Sequence, residues 1–183
     1  MTNMDMMIKL ALETPGVSLC VASAKSIEDL SLMISREHMM EFFALALPYM
    51  STKAQGEYLS NCWTMIDNIS VNGYLSRSRL VKILKEAGPK NVMKKDDLNF
   101  YKNLPEKVEV YRGISSIAST LKGLSWTLNP KTARWFADKF GEKGRVFKAI
   151  IKKEYVLAYY NSRNEQEVVV DFRRLQDIEL QNR

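Results

Sequence analysis

Two glutamates stand two positions apart in the stretch Asn164-Glu165-Gln166-Glu167-Val168-Val169-Val170. Three successive valines read as a strand. On a strand, residues i and i+2 share a face about 6.5–7 Å apart. Glu165 and Glu167 are therefore expected to project together from the start of a strand whose other side is buried. Each carboxylate disfavours ionisation of the other unless a positive group compensates. Such a pair can stabilise a developing positive charge or take a proton from a nucleophile. The competing reading is a solvated edge of an exposed strand, because acid pairs are common on surfaces. Two further groups precede the pair in the chain. Arg112-Gly113 brings a planar guanidinium fork suited to phosphate oxygens beside a residue with no side chain. Ser125-Trp126-Thr127 brings two hydroxyls at strand spacing. Taken singly, Arg112 reads equally as a surface arginine and Ser125 as an ordinary strand serine.

The elements that must position these residues lie in the second half of the chain. After Pro105 the hydrophobic period changes from helical to strand-like. Val108, Val110 and Tyr111 mark a first strand that ends in Arg112-Gly113. A connection over Ile114–Leu121 leads to a second strand, Gly123–Leu128. Asn129-Pro130 then starts a helix, with proline at the favoured first position. Ala133, Phe136, Ala137 and Phe140 give it an apolar stripe, and Gly141 ends it. Arg145–Ile151 and Tyr155–Tyr160 read as strands. Asn161–Asn164 is a polar loop placed immediately before the paired glutamates. Glu165–Phe172 and Ile178–Leu180 complete the set.

The first hundred residues read as helical. Asn3–Glu13 is an amphipathic candidate stopped near Pro15, and Gly16–Ala24 is left unassigned. Ser26 starts a helix, with Asp29 as its capping-box partner. That helix is expected to run through Leu47 and to end near Pro48. Its methionines Met33, Met39 and Met40 read as core, and His38 as structural or exposed. Ser51 or Thr52 caps a helix running to about Asn68, and Asn72-Gly73 marks a turn. Ser76–Ala87 is a basic amphipathic helix ending at Gly88-Pro89. Its Arg77, Arg79, Lys82 and Lys85 read best as a solvated face. Lys90–Asn103 is polar. The expected organisation is α+β: a helical lobe over 1–104, then a mostly antiparallel β core over 105–183, the two packing as one domain.

The three groups, in the order Arg112-Gly113, Ser125-Trp126-Thr127, Glu165-Gln166-Glu167, resemble the arginine–serine–glutamate class of mono-ADP-ribosyltransferases. The resemblance covers about Tyr111 to Asp171. The helical first half is similar to the lobe that precedes the first strand in such enzymes, including phage and prophage members. The resemblance implies a β core of the ADP-ribosyltransferase type, with NAD as the substrate and no metal. It implies that Glu167 stabilises the positive charge that builds on the nicotinamide ribose, as in glycoside hydrolysis. Glu165 would orient or deprotonate the nucleophile. Arg112 would fix the pyrophosphate and the Gly113 backbone would approach the nicotinamide amide. Ser125 would hold Glu167 in place, with Thr127 supporting the strand. Phe136 would stack on nicotinamide, or equally belong to the core. Tyr160 and Asn164 fall in the loop that contacts the acceptor, where Tyr160 reads alternatively as a buried strand-end tyrosine. A glutamate at position 165 goes with an arginine acceptor. Two departures stand out: bulky Trp126, expected in the core, and a short charged loop between Phe140 and Val146.

Composition bounds the rest. The chain has 183 residues, 46% hydrophobic and 26% charged, as in ordinary globular proteins. No apolar run approaches the ~20 residues of a membrane span, and no basic leader precedes an apolar core, so a cytoplasmic protein is expected. Cys20 and Cys62 with His38 make neither a disulfide framework nor a zinc site. The net charge of +6 resides in the second half, because residues 1–100 are balanced. That half is expected to attract anions: NAD, an acidic protein surface or RNA. Three functional readings follow. The first is transfer of ADP-ribose to an intracellular protein. The second is ADP-ribosylation of nucleic acid, or NAD hydrolysis. The third is a noncatalytic binding protein on the same fold.

Overall fold

The computed structural model describes residues 2–14, 19–66, 73–115, 120–139, 141 and 143–181. Pro15, Asn68, Asn72 and Phe140, named above as stops, turns or core, lie outside these residues. The chain divides into two compact units, 1–94 and 95–183. The division precedes the expected junction at Leu104-Pro105, because the helix Lys95–Lys102 belongs with the sheet.

The first unit is helical: α1 Asn3–Glu13, α2 Ile27–Met33, α3 Met39–Ala46, α4 Thr52–Cys62, α5 Arg77–Ala87 and α6 Pro89–Val92, with short 3-10 turns between some of them. Side chains cap it as the sequence reads. Ser26 and Asp29 form a reciprocal capping box, and Ser51 and Ser76 accept at the starts of α4 and α5. The single helix expected from Ser26 to Leu47 is instead two, α2 and α3. Ile34 is extended and the chain turns through Ser35–His38. The reason lies in phase. An unbroken helix that buries Leu30 and Ile34 would also turn Glu37, His38 and Glu41 inward. The break re-phases the chain so that Met39, Met40, Phe42 and Phe43 are buried. Tyr58 of α4 fills the centre: its ring stacks on Phe43 at 5.1 Å, and its hydroxyl donates to the Met39 carbonyl at 3.0 Å. On α5, Lys82 pairs with Glu86 at 3.6 Å on a solvated face.

The second unit carries a six-stranded antiparallel sheet. Its strands are β1 Lys107–Ile114, β2 Ser125–Thr127, β3 Arg145–Lys152, β4 Val156–Tyr160, β5 Glu167–Val170 and β6 Gln176–Gln181. They lie in the order β4-β5-β2-β1-β3-β6. The molecule is therefore mixed α and β, with its sheet antiparallel throughout. Helix α7, Lys95–Lys102, packs on β4: Phe100 stacks on Tyr159 at 4.2 Å and the Tyr101 hydroxyl donates to the Val156 carbonyl at 3.3 Å. Helix α8, Pro130–Asp138, follows β2 and lies on β1 and β3 through Ala133, Ala137 and Val146. Its N-cap Asn129 accepts from the Lys131 amide at 2.9 Å. No helix among the described residues is long and apolar enough to cross a membrane.

Candidate active site

The three strands that carry the motifs are neighbours in the sheet, in the order β5-β2-β1. Their register aligns one row of residues across the strands: Tyr160 faces Glu167, Glu167 faces Thr127, and Thr127 faces Tyr111. Directly opposed residues on antiparallel strands share a face, with Cβ atoms about 4.5–5.5 Å apart. Residues i±2 lie on that face too, so Ser125 and Gly113 stand on the same side as Glu167. Residues as far apart in sequence as Tyr111 and Glu167 thus converge on one patch of sheet.

Glu167 opens β5 and is half-buried, whereas the valines that follow it are fully buried. Its cross-strand partner is Thr127. Ser125, expected beside Glu167, lies opposite Val169 instead. Thr127 is the hub of this corner. Its Oγ1 donates to the Glu165 carbonyl at 2.6 Å and accepts from the Asn129 amide at 3.0 Å. One buried hydroxyl therefore ties the glutamate loop to the start of α8. We expect Thr127→Val, which keeps the shape and removes both bonds, to cost about 1–3 kcal/mol, because two backbone groups lose their partner. Urea unfolding should show a lower midpoint with an unchanged slope.

Glu165 does not lie on the strand. The sequence reading placed both glutamates on one β face, but β5 begins at Glu167. Asn164 and Gln166 have φ of 56° and 47°, a left-handed conformation that interrupts the two-residue alternation. Backbone and side-chain hydrogen bonds together hold the loop in this shape. Asn164 N–H donates to the Asn161 carbonyl at 2.9 Å, and Gln166 N–H to Asn161 Oδ1 at 3.1 Å. Asn161 N–H in turn donates to Asp97 Oδ1 of α7 at 3.2 Å, and Leu128 N–H to the Gln166 carbonyl at 3.0 Å. Glu165 has a cationic partner within the loop: Arg163 Nε lies 3.2 Å from Glu165 Oε1.

The remaining candidates fall as follows. The Arg112 guanidinium donates to the carbonyls of Thr120 and Ser125 and rests on Gly123, where a Cβ would lie 2.3 Å from Arg112 Cζ. It braces β1 to the segment that enters β2. Gly113 lies under α8: a Cβ there would meet the Ala133 carbonyl oxygen at 2.2 Å. Its missing side chain is room for the helix. Phe136 is half-buried on α8, edge-on to exposed Trp135 at 4.9 Å, and so belongs only in part to the helix's buried stripe of Ala133 and Ala137. Tyr160 is 4% exposed, which places it in the sheet; Asn164 is exposed. Trp126 is 2% exposed on the opposite face, as expected, with its indole N–H donating to the Gly123 carbonyl at 3.2 Å.

Sequence reasoning missed a second charged group on the site face. The Tyr111 hydroxyl donates to Glu109, and Lys148 Nζ lies 3.3 Å from the same carboxylate. The alternation Glu109-Val110-Tyr111 on β1 carried the signal. The Tyr111 hydrogen bond holds the Glu109 carboxyl below its usual range, and Lys148 adds to this. The same hydrogen bond, with the Glu109 carboxylate accepting, pushes the Tyr111 phenol up to about 12. A phenol raised on folding contributes stability that is complete below ~10. That contribution is lost as pH rises through about 12. The depressed Glu109 contributes stability above ~4.3, lost as pH falls through its folded value. In a spectrophotometric tyrosine titration, Tyr111→Phe should remove one ionisation centred near 12.

Among the described residues, no group of three or more His, Cys, Asp and Glu side chains could hold a metal ion. Comparison of the chain with family models, curated proteins and solved structures finds no match.

Proposed function

We propose that the protein is an NAD-dependent mono-ADP-ribosyltransferase, with its site on the face of β5, β2 and β1 and a sheet of the ADP-ribosyltransferase type. The observation that carries this reading is the register row Glu167–Thr127–Tyr111. It sets a half-buried carboxylate at a strand start, between a loop bearing a second glutamate and the strand bearing Arg112. Bound NAD supplies the glycosidic bond whose cleavage builds positive charge on the ribose. Glu167 faces that charge. Thr127 fixes the loop that carries Glu165, and Glu165 holds and deprotonates an acceptor guanidinium. Ser125 lines the same face. Arg112 alternates to the other side of β1 from Tyr111 and Gly113, so its part here is to keep β1 and β2 in place through the Thr120 and Ser125 carbonyls, not to hold the pyrophosphate. Phe136 offers a ring at the rim, and exposed Asn164 meets the acceptor. The basic second half of the chain draws the anionic dinucleotide.

The test is incubation of the purified protein with labelled NAD and a cell lysate, in parallel with Glu167→Ala. A labelled protein band with the wild type and none with the variant supports the reading. Label in the RNA fraction would assign a nucleic-acid acceptor, and free nicotinamide without label would assign hydrolysis. No NAD consumption by the folded wild type would overturn the reading in favour of a noncatalytic binding protein.

A further inference from the structure

Cations gather at the opposite end of β5 from Glu167. The strand runs from Glu167 to Val170, and Asp171 follows it, about 13 Å along an extended chain. Several chain ends are tied together there. Lys153 N–H donates to the Glu106 carbonyl at 2.9 Å, and Asp171 N–H to the Tyr155 carbonyl at 2.9 Å. Lys153 Nζ donates to the Lys102 carbonyl, at the end of α7, at 2.6 Å. The start of β1, the end of β3 and the 3-10 turns Lys153–Tyr155 and Phe172–Arg174 therefore meet. They bring together Lys102, Lys107, Lys152, Lys153, Arg173 and Arg174, of which all but Lys153 are exposed. We infer that this end of the sheet is a docking surface for the phosphodiester backbone of a nucleic acid, held by charge and without regard to base sequence. The inference does not depend on the transferase reading.

Three observations carry it. First, Lys107 and Lys152 stand directly opposite each other on β1 and β3. Like charges in that position destabilise a sheet, and Glu154 offsets only one of them, Lys152, from 4.0 Å. A bound polyanion offsets both. Second, cations are set on rings. Arg174 Cζ lies 5.2 Å from the centre of the Tyr155 ring, Arg173 Cζ 5.9 Å from that of Phe172, and Lys153 Nζ 5.9 Å from that of Tyr101. A guanidinium stacked on a ring keeps its planar edge of donors for phosphate oxygens. Third, the carboxylates there are few. Asp171 is buried and taken by Arg173 at 2.8 Å, which leaves Glu106 and Glu154 exposed among the cations.

The same features choose the occupant. The Tyr101, Tyr155 and Phe172 rings are half-buried with cations over them, so they hold charges in place and are not open to stack on bases or to enter a bilayer. A protein partner is anchored by aromatic and other well-packed side chains near the centre of its interface, and here the accessible groups are cations. A phosphodiester chain asks only for repeated positive charge, and its contacts carry no sequence information.

The experiment is fluorescence anisotropy of the full chain with a labelled oligouridylate of about 20 nucleotides across about 50–200 mM salt. Lys107→Glu/Arg174→Glu is compared with Lys9→Glu/Arg79→Glu, which makes the same charge change at exposed positions of the first unit. Wild-type binding should weaken with salt at a log–log slope of about −3, as for about four single-strand phosphates neutralised. Lys107→Glu/Arg174→Glu should flatten that slope by about 1.4 and weaken binding about tenfold or more. Lys9→Glu/Arg79→Glu should change it by less than about threefold at ~100 mM salt, where charges more than ~10 Å apart are screened. Lys107→Glu alone should raise the urea midpoint, because it sets a carboxylate opposite Lys152, so that lost binding is not lost folding. Absent or salt-independent binding by the folded wild type, or equal losses in the two double variants, would overturn the inference. So would tighter binding, at the same salt, of polyglutamate of equal length or of phosphatidylcholine–phosphatidylserine vesicles, which would assign an acidic protein or a membrane instead. NAD consumption read in parallel should be the same in Lys107→Glu/Arg174→Glu as in the wild type; none in either would overturn the transferase reading and leave this inference standing.

Discussion

Under the proposed transferase activity, Glu167→Gln is expected to abolish ADP-ribosyl transfer while leaving the protein folded. The substitution keeps the size of the side chain and removes its charge. Glu167 is half-buried at the start of β5, between the Thr127 and Tyr160 strands. In that setting, two unit charges about 4 Å apart at an effective dielectric near 20 interact by about 4 kcal/mol. The positive charge on the ribose exists only as the glycosidic bond breaks, so the interaction is made in the transition state and not with bound NAD. About 4 kcal/mol of lost transition-state stabilisation is about a thousand-fold in kcat, with KM for NAD changed little.

Glu165→Gln separates the two carboxylates. Glu165 lies off the strand, in a loop pinned by Thr127, and its proposed work is on the acceptor. That variant should keep NAD hydrolysis and lose transfer to arginine. A Glu167→Gln protein with wild-type turnover would remove the transferase assignment. A Glu165→Gln protein with unaltered arginine transfer would remove the acceptor role of the loop. Stability should move by less than about 1 kcal/mol in Glu167→Gln, because no core packing changes.

The sequence declared its helix starts and strand alternation because local chemistry writes both. Ser26 with Asp29, and Asn129 before Pro130, satisfy amide groups that no helix can satisfy alone. The three motifs could be ordered, but their adjacency could not be read, since the β5-β2-β1 order is set by long-range pairing. Two departures have physical causes. The turn at Ser35–His38 arises because core burial overrides helix propensity when the apolar phase slips. The kink at Gln166 puts a residue with a Cβ into left-handed backbone, and composition carries no general signal for that. Asn164 is different, because asparagine tolerates that conformation. The sequence reading ends the polar loop at Asn164 and carries no sign of the Arg163–Glu165 pair that spans it. Lys95–Lys102 read only as polar because its helix is anchored partly by polar contacts, Asp97 to Asn161 as well as Phe100 and Tyr101 to β4, so its few apolar positions show no period.

Gly113→Ala should be the most destabilising single substitution on the site strands. The added Cβ would stand 2.2 Å from the Ala133 carbonyl oxygen and 2.6 Å from the Ala137 backbone nitrogen. Both obstacles are helix backbone, which cannot rotate away as a side chain can. Gly144 repeats the arrangement, with its Cβ position 2.1 Å from the Ala137 carbonyl oxygen. Helix α8 thus rests directly on two glycines, and a methyl group at either must push it off the sheet. Overpacking of this kind costs about 3 kcal/mol or more when backbone has to move. The displacement would also travel. The Asn129 amide at the start of α8 is bonded to Thr127, and Thr127 holds the Glu165 carbonyl, so the glutamate loop shifts with the helix. Gly73→Ala supplies the comparison: its φ of +75° strains a side chain, yet nothing lies within 4 Å. Its cost should be the conformational term alone, roughly 1–2 kcal/mol. Urea unfolding of both variants, beside NAD turnover at a temperature where both are folded, reads the difference. Gly113→Ala should lose stability and turnover together, whereas Gly73→Ala should lose a little stability and no turnover. A Gly113→Ala protein as stable as Gly73→Ala would mean that α8 does not lie against β1 as closely as these distances require.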